Sequence, residues 1–71
     1  MLTNLRVLRV RSGLKASELA RRLGLAETML IRIELAQAYV PPKWRRPLAE
    51  ALGVEPEAIM DPATGWPKLA A

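Results

Sequence analysis

The chain has 71 residues, enough for one small domain, and at this length folding buries only roughly 60% of the surface that the open chain exposes. Cysteine and histidine are absent, which excludes a disulfide framework and the usual ligand sets of zinc, haem and iron–sulfur sites, so no metal or cofactor is expected. Ten Lys and Arg stand against three acids in residues 1–46, whereas one lysine stands against four acids in residues 47–71. A basic first part is typical of a nucleic-acid binder, although a solvated arginine-rich surface gives the same count.

The composition favours helices over strands. Twelve leucines and eleven alanines make up about a third of the chain, whereas Tyr39, Trp44 and Trp66 are its only aromatic residues. We therefore expect an all-α fold. No apolar run approaches the roughly 18 residues that a membrane span needs, and the first residues lack the order of a signal peptide. We accordingly expect a cytoplasmic protein with no membrane partner.

Three helices are predicted in the first half of the chain, each with apolar residues at helical spacing. Their expected ranges are 2–12, 16–23 and 27–35. A glycine suited to a left-handed backbone follows the first two, at Gly13 and Gly24. The residues expected on the inner faces are Leu2, Leu5, Leu8, Arg9, Ser12, Leu19, Ala20, Leu23, Leu30, Ile33 and Glu34.

Two further helices are predicted in the second half. A helix over 44–52 places Leu48, Ala49 and Leu52 on one face, and Pro47 is tolerable only near its first turn. A short fifth helix is expected over 55–60, because proline is suited to the first helical position and acids favour the positive end of the helix dipole.

The last residues, 61–71, contain two prolines and a glycine and show no periodicity. We expect an extended tail there, anchored by Trp66, which follows a helical domain over residues 1–60. The expected architecture is therefore a single five-helix domain with a short C-terminal extension.

The second and third helices and the glycine between them form a helix-turn-helix pattern. Ala20 is small where two helices must cross closely, Gly24 supplies the tight turn, and Leu25 closes the core behind it. This pattern, with the stretches NLRVLRVRSGLKASELARRLGLAETMLIRIE and LAEALGVEPEAIM, resembles the phage repressor/Cro (Xre-type) family of DNA-binding domains. The resemblance implies a compact five-helix, lambda-repressor-like fold. It also implies a sequence-specific transcriptional regulator that binds double-stranded DNA as a symmetric homodimer, with the third helix in the major groove.

Two charged residues are expected to meet inside the fold. Arg9 lies on the inner stripe of the first helix and Glu34 on that of the third, so each would be a buried unpaired charge without the other. We predict a salt bridge between them, and the family resemblance implies the same pair. The alternative is two exposed charges with no partner.

If the third helix lies in a major groove, its outward polar residues are the candidates for contacts to bases. Arg32 can pair with guanine or a phosphate, Glu27 can accept from a cytosine amino group, and Thr28 can touch a base or a thymine methyl. Basic residues beside this helix are the candidates for phosphate contacts that set its register. They are Lys15, Arg21, Arg22, Lys43, Arg45 and Arg46.

A second hypothesis keeps the same fold but gives it a protein partner in place of DNA. The family usually begins the second helix with a glutamine that holds a phosphate and the third with a Ser or Thr cap, whereas this chain has Ala16 and Ala26 there. Apolar residues near the third helix can also form a contact with a second copy or another protein, as in an antitoxin or a phage protein that engages a host factor. The residues of this possible protein interface are Met29, Ile31, Leu35, Val40 and Trp44.

Catalysis is not expected. The chain offers hydroxyl groups without a histidine base, and no glycine-rich loop that would hold a phosphate. Glu55 and Glu57 stand at a helix start, where the helix dipole explains them. We therefore predict no catalytic residue and no enzyme.

Overall fold

Four α-helices and one 3₁₀ turn make up the regular structure of the described chain. The structure is a computed structural model that describes residues 2–70. The helices are α1 (Asn4–Arg11), α2 (Ala16–Leu23), α3 (Glu27–Glu34) and α4 (Pro42–Ala51), and the turn is Pro56–Ala58. Within residues 2–70 there is no strand beyond two isolated β-bridges. The mostly helical class is confirmed.

The expected fifth helix over 55–60 is wrong. The backbone there makes a three-residue 3₁₀ turn that ends at Ile59. The carbonyl of Ile59 accepts from the Lys68 N–H at 2.9 Å, and Met60 forms an antiparallel bridge with Pro67. Because the backbone at Ile59 and Met60 is paired with the C-terminal segment, a helix cannot continue through these residues.

The first helix begins later than predicted because Thr3 caps it. The Thr3 backbone is extended, and its Oγ1 accepts from the Arg6 N–H at 3.2 Å. Leu2 therefore lies outside the helix and is exposed, as is Ser12 after its end, which corrects their expected place on the inner stripe. The sequence signal for this cap was a threonine directly before Asn4, the first helical residue.

The turn between α2 and α3 is closed by a Schellman motif. Gly24 has φ +71°, its N–H donates to the Arg21 carbonyl at 3.2 Å, and the Leu25 N–H donates to the Ala20 carbonyl at 2.9 Å. Leu25 and Ala20 are both buried, which supplies the hydrophobic contact of this motif. The motif fixes the angle at which α3 leaves α2.

The core is aliphatic, and every helix contributes to it. Partly buried residues, including Met29 and Trp44, pack around its edge. At this small size the geometry depends on close packing of leucine, isoleucine and alanine. The buried apolar residues are Leu5, Leu19, Ala20, Leu25, Leu30, Ile33, Val40, Leu48, Ala49, Ile59 and Met60.

Helix α4 begins two residues before the predicted start at Trp44. Pro42 occupies its first turn, where a missing N–H costs nothing. Pro47 consequently lies in the second turn, and the carbonyl four residues before it, that of Lys43, receives no bond from it. Both residues are exposed, so water can satisfy that carbonyl.

The C-terminal segment 61–70 is hydrogen-bonded to the rest of the molecule. The Asn4 N–H donates to the Lys68 carbonyl and the Ala70 N–H to the Leu2 carbonyl, both at 2.9 Å. The Trp66 side chain stays half exposed and packs edge-on against Tyr39, with ring centroids 6.1 Å apart. The backbone therefore provides most of the attachment. The outer ends of the expected segments, Met1 and Ala71, lie outside the described residues.

No helix in the described part of the chain is long and apolar enough to cross a membrane.

Candidate nucleic-acid interface

Helix α3 is divided into an inner and an outer face. Leu30, Ile33 and Glu34 are buried. The opposite side faces solvent, as expected for a helix that must fit into a groove. The exposed side chains on this outer face are Glu27, Thr28, Ile31, Arg32 and Leu35, the last being the residue after the helix end.

Arg9 and Glu34 hold the inner face of α3 to α1. The guanidinium of Arg9 donates from Nε to Oε2 of Glu34 at 2.6 Å and from Nη2 to Oε1 at 3.0 Å. The two side chains are only 12% and 4% exposed, and Arg9 Nη1 also donates to the Leu14 carbonyl at 2.7 Å. The hydrogen bond to Glu34 raises the pKa of Arg9 above its ordinary value, so this arginine stays charged.

A second contact fixes the C-terminal end of α3. The Oγ1 of Thr3 donates to the backbone carbonyl of Glu34 at 2.9 Å, and Thr3 is fully buried. Among residues 2–70, no buried side-chain nitrogen or oxygen lacks a hydrogen-bond partner. The outer face is therefore presented on a helix whose inner side is fully bonded.

The three residues expected to contact bases share this outer face. Glu27, Thr28 and Arg32 are exposed, and no side-chain hydrogen bond joins them to another described residue. Ala26 supplies no side-chain cap at the start of α3, so the first N–H groups of the helix also lack a side-chain acceptor. The polar groups of these three side chains, and the first N–H groups of α3, are therefore directed to solvent.

Five of the six residues expected to contact phosphates are exposed. Within the described chain Arg9–Glu34 is the one ion pair, so the charges of these five are not neutralised by a nearby carboxylate. Lys43 places its ammonium 4.9 Å from the centre of the Trp44 ring, a cation–π contact that leaves it at the surface. The five are Lys15, Arg21, Arg22, Lys43 and Arg46.

Arg45, the sixth, is bonded within the fold. Its Nε donates to the Val40 carbonyl at 2.9 Å and its Nη2 to the Thr64 carbonyl at 3.0 Å. It is half-buried, and these bonds join the loop after α3 to the C-terminal segment. The structure thus gives Arg45 a bonding role inside the molecule that the sequence pattern did not indicate.

The possible protein interface is not continuous on the surface. Val40 is 1% exposed and belongs to the core, so it cannot contact a partner, which corrects its expected place in this patch. Trp44 is half-buried, and its Nε1 donates to the Leu23 carbonyl at 3.2 Å. Met29 packs against the core, and only Ile31 and Leu35 are well exposed, at 41% and 39%.

The structure adds an open groove of about 390 Å³ beside α3 that the sequence did not predict. Arg32, Tyr39 and Trp66 are among the residues that line it. Tyr39 and Trp66 are 27 positions apart in sequence, and no local pattern predicts the contact between their rings. In the described residues no cluster of His, Cys, Asp or Glu is arranged to hold a metal ion.

Comparison with known families agrees with this geometry. Residues 3–60 match a family model described as a helix-turn-helix domain, and the matched range contains α1 to α4 and the 3₁₀ turn. No curated protein and no solved structure matches the chain. Since the family model covers well over half of the sequence, the chain belongs to the helix-turn-helix domain family.

Proposed function

We propose that this protein is a sequence-specific DNA-binding transcriptional regulator of the phage repressor/Cro (Xre) type. Membership of the helix-turn-helix family suggests a DNA-binding regulator, and domains of this family are typically non-enzymatic. The observation that carries the proposal is the exposed outer face of α3 together with five exposed cations on α2, its N-cap and α4 that make no ion pair. Such a helix fits the width of the DNA major groove, and the cations match the phosphates that border it.

The residue roles follow from their chemistry and position. Arg32 donates to guanine or to a phosphate, Glu27 accepts from a cytosine amino group, and Thr28 contacts a base edge. The five exposed cations hold phosphates and set the register of α3, whereas Arg45 supports the loop behind it. No cofactor takes part in this scheme, and such a regulator would act in the cytoplasm.

The proposal includes a symmetric dimer. A single small domain makes few base contacts, and two domains on one operator multiply the affinity through effective concentration. Dimers of helix-turn-helix domains bind half-sites about one helical turn of DNA apart. The operator is therefore expected to be a palindrome with that spacing.

Selection of bound sequences from random duplex DNA tests this function. Performed at two salt concentrations, it should enrich a palindromic consensus, and affinity should fall roughly a thousandfold or more between 50 and 200 mM salt. Light scattering on the free and DNA-bound protein gives the oligomeric state. Affinity that barely changes with salt, or enrichment of no sequence, would contradict the proposal.

The second candidate is a protein-interaction module, which the exposure of Ile31 and Leu35 favours. Apolar side chains on an otherwise polar helix face are suited to a contact with a second copy or another protein. In that case Ile31→Asp disrupts the complex and Arg32→Ala leaves it intact. Loss of DNA binding in Arg32→Ala with an unchanged oligomeric state in Ile31→Asp would exclude this candidate.

A further inference from the structure

Ile31 occupies the middle of the exposed face of α3. Thr28, Ile31 and Leu35 follow one another at i, i+3 and i+7, which places them on one stripe of the helix. Glu27 borders this stripe on one side and Arg32 on the other. Ile31, at 41% exposed, therefore presents an apolar group between charged side chains on the outer face.

A DNA contact explains this stripe better than a protein interface does. Of the apolar residues around it, Val40 is buried and Trp44 is hydrogen-bonded to α2. The central part of a protein interface is depleted of charge, whereas Ile31 lies between the carboxylate of Glu27 and the guanidinium of Arg32. An apolar group surrounded by hydrogen-bonding groups instead matches the edges of base pairs in the major groove. Those edges present hydrogen-bond donors and acceptors together with the methyl group of thymine.

We propose that Ile31 contacts the C5 methyl group of a thymine in each half-site and so makes the protein select thymine there. This inference rests on the proposed DNA-binding function. The side chain of Ile31 has neither donor nor acceptor, and the thymine methyl is the apolar group that base pairs present in the major groove. The contact removes both apolar surfaces from water, and discrimination arises because the other bases offer no such surface.

The spacing of Ile31 and Thr28 limits where this thymine lies. Ile31 lies three residues beyond Thr28, about 4.5 Å further along the helix axis. A recognition helix follows the major groove and not the duplex axis, so this spacing keeps the thymine in the half-site that Thr28 contacts, and every thymine of that half-site is tested.

Replacement of thymine by deoxyuridine tests the contact, because it removes the methyl group and leaves every hydrogen-bonding atom in place. Starting from the selected operator, each thymine in a half-site is replaced in turn and the affinity of the full chain is measured. At one position the wild-type protein should bind the uracil operator about fourfold more weakly per half-site, the factor that burial of one methyl group is worth. In Ile31→Ala the same replacement should change affinity by less than about 1.5-fold, while Ile31→Val should keep most of the discrimination.

Leu35→Ala is the matched control. Leu35 is exposed to a similar degree on the same stripe but lies at the end of the helix, away from the residues that enter the groove first, so its truncation should leave the thymine–uracil difference unchanged. Far-UV circular dichroism checks that the variants fold. A selected operator at which no thymine methyl matters, or a uracil effect that persists in Ile31→Ala, overturns this inference and leaves the regulator in place. Failure to select any operator overturns the proposed function itself.

Discussion

The guanidinium of Arg45 lies directly over Gly65. A β-carbon added to Gly65 would stand 2.7 Å from Nη2 and 2.8 Å from Nε of Arg45, and it would also overlap the Val40 carbonyl oxygen. The Val40 N–H in turn donates to the Gly65 carbonyl at 2.8 Å. This contact joins the loop that follows α3 to the C-terminal segment, so the loop after the candidate recognition helix is held by residues outside the helix-turn-helix motif.

Gly65→Ala should destabilise the fold by about 2–4 kcal/mol, because it combines a left-handed backbone with steric overlap. Gly13→Ala is the matched control: its φ of +74° is similar to the +81° of Gly65, but no atom lies within 4 Å of its added β-carbon. The control should lose only the stability that the left-handed backbone costs an alanine, about 1 kcal/mol. Urea unfolding followed by circular dichroism measures both, and equal losses would show that the Arg45–Gly65 contact adds nothing.

Local patterns predicted the parts of this fold that depend on neighbouring residues. The spacing of Leu30 and Ile33 and the glycine at Gly24 were sufficient to place α3 and the turn before it. Val40, Arg45 and Gly65 were beyond such patterns, because their roles arise from hydrogen bonds between residues far apart in sequence, 25 positions for Val40 and Gly65 and 19 for Arg45 and Thr64. The expected helix over 55–60 became a 3₁₀ turn because the Ile59 carbonyl accepts from Lys68, nine positions away, in the C-terminal segment. Val40 was expected on the surface because its bond to Gly65 has no local signal.

The Arg9–Glu34 pair should contribute strongly to stability when only one partner is removed. Glu34→Gln leaves the buried guanidinium without its counter-charge, and Arg9→Met leaves a buried carboxylate, so each should cost roughly 3–5 kcal/mol. The double variant Arg9→Met with Glu34→Met removes both charges and should cost less than either single change. Thermal unfolding of the four proteins tests this, and single variants within 1 kcal/mol of the wild type would mean that water already solvates the pair.

Ala36 offers a site where the protein can be stabilised. It follows Leu35, the C-cap of α3, and has φ +59°, the only positive φ of a non-glycine residue among the described positions. The next N–H, that of Gln37, donates to the Arg32 carbonyl at 2.8 Å. Glycine is the usual residue at this place in a helix end. Ala36→Gly should therefore raise the free energy of unfolding by about 1 kcal/mol, after the entropy cost of glycine in the unfolded chain. Ala63→Gly, exposed and without positive φ, should lower it, and stabilisation by both changes would contradict the strain argument.

Arg32 and Arg22 should respond differently when each is replaced by alanine, although both are exposed arginines. Arg32 lies on the outer face of α3, so its loss should weaken binding to the selected operator by about 1–3 kcal/mol and relax the preference at one base pair. Arg22 lies near the end of α2, where the proposed function makes it a phosphate contact, so its loss should weaken all duplexes alike and reduce the slope of log affinity against log salt by about one. Titrations of operator and scrambled duplexes at several salt concentrations distinguish the two effects. If Arg32→Ala lowers affinity equally for every sequence while its salt slope falls by one, Arg32 is a phosphate contact, and base selection by α3 must come from its other outward residues.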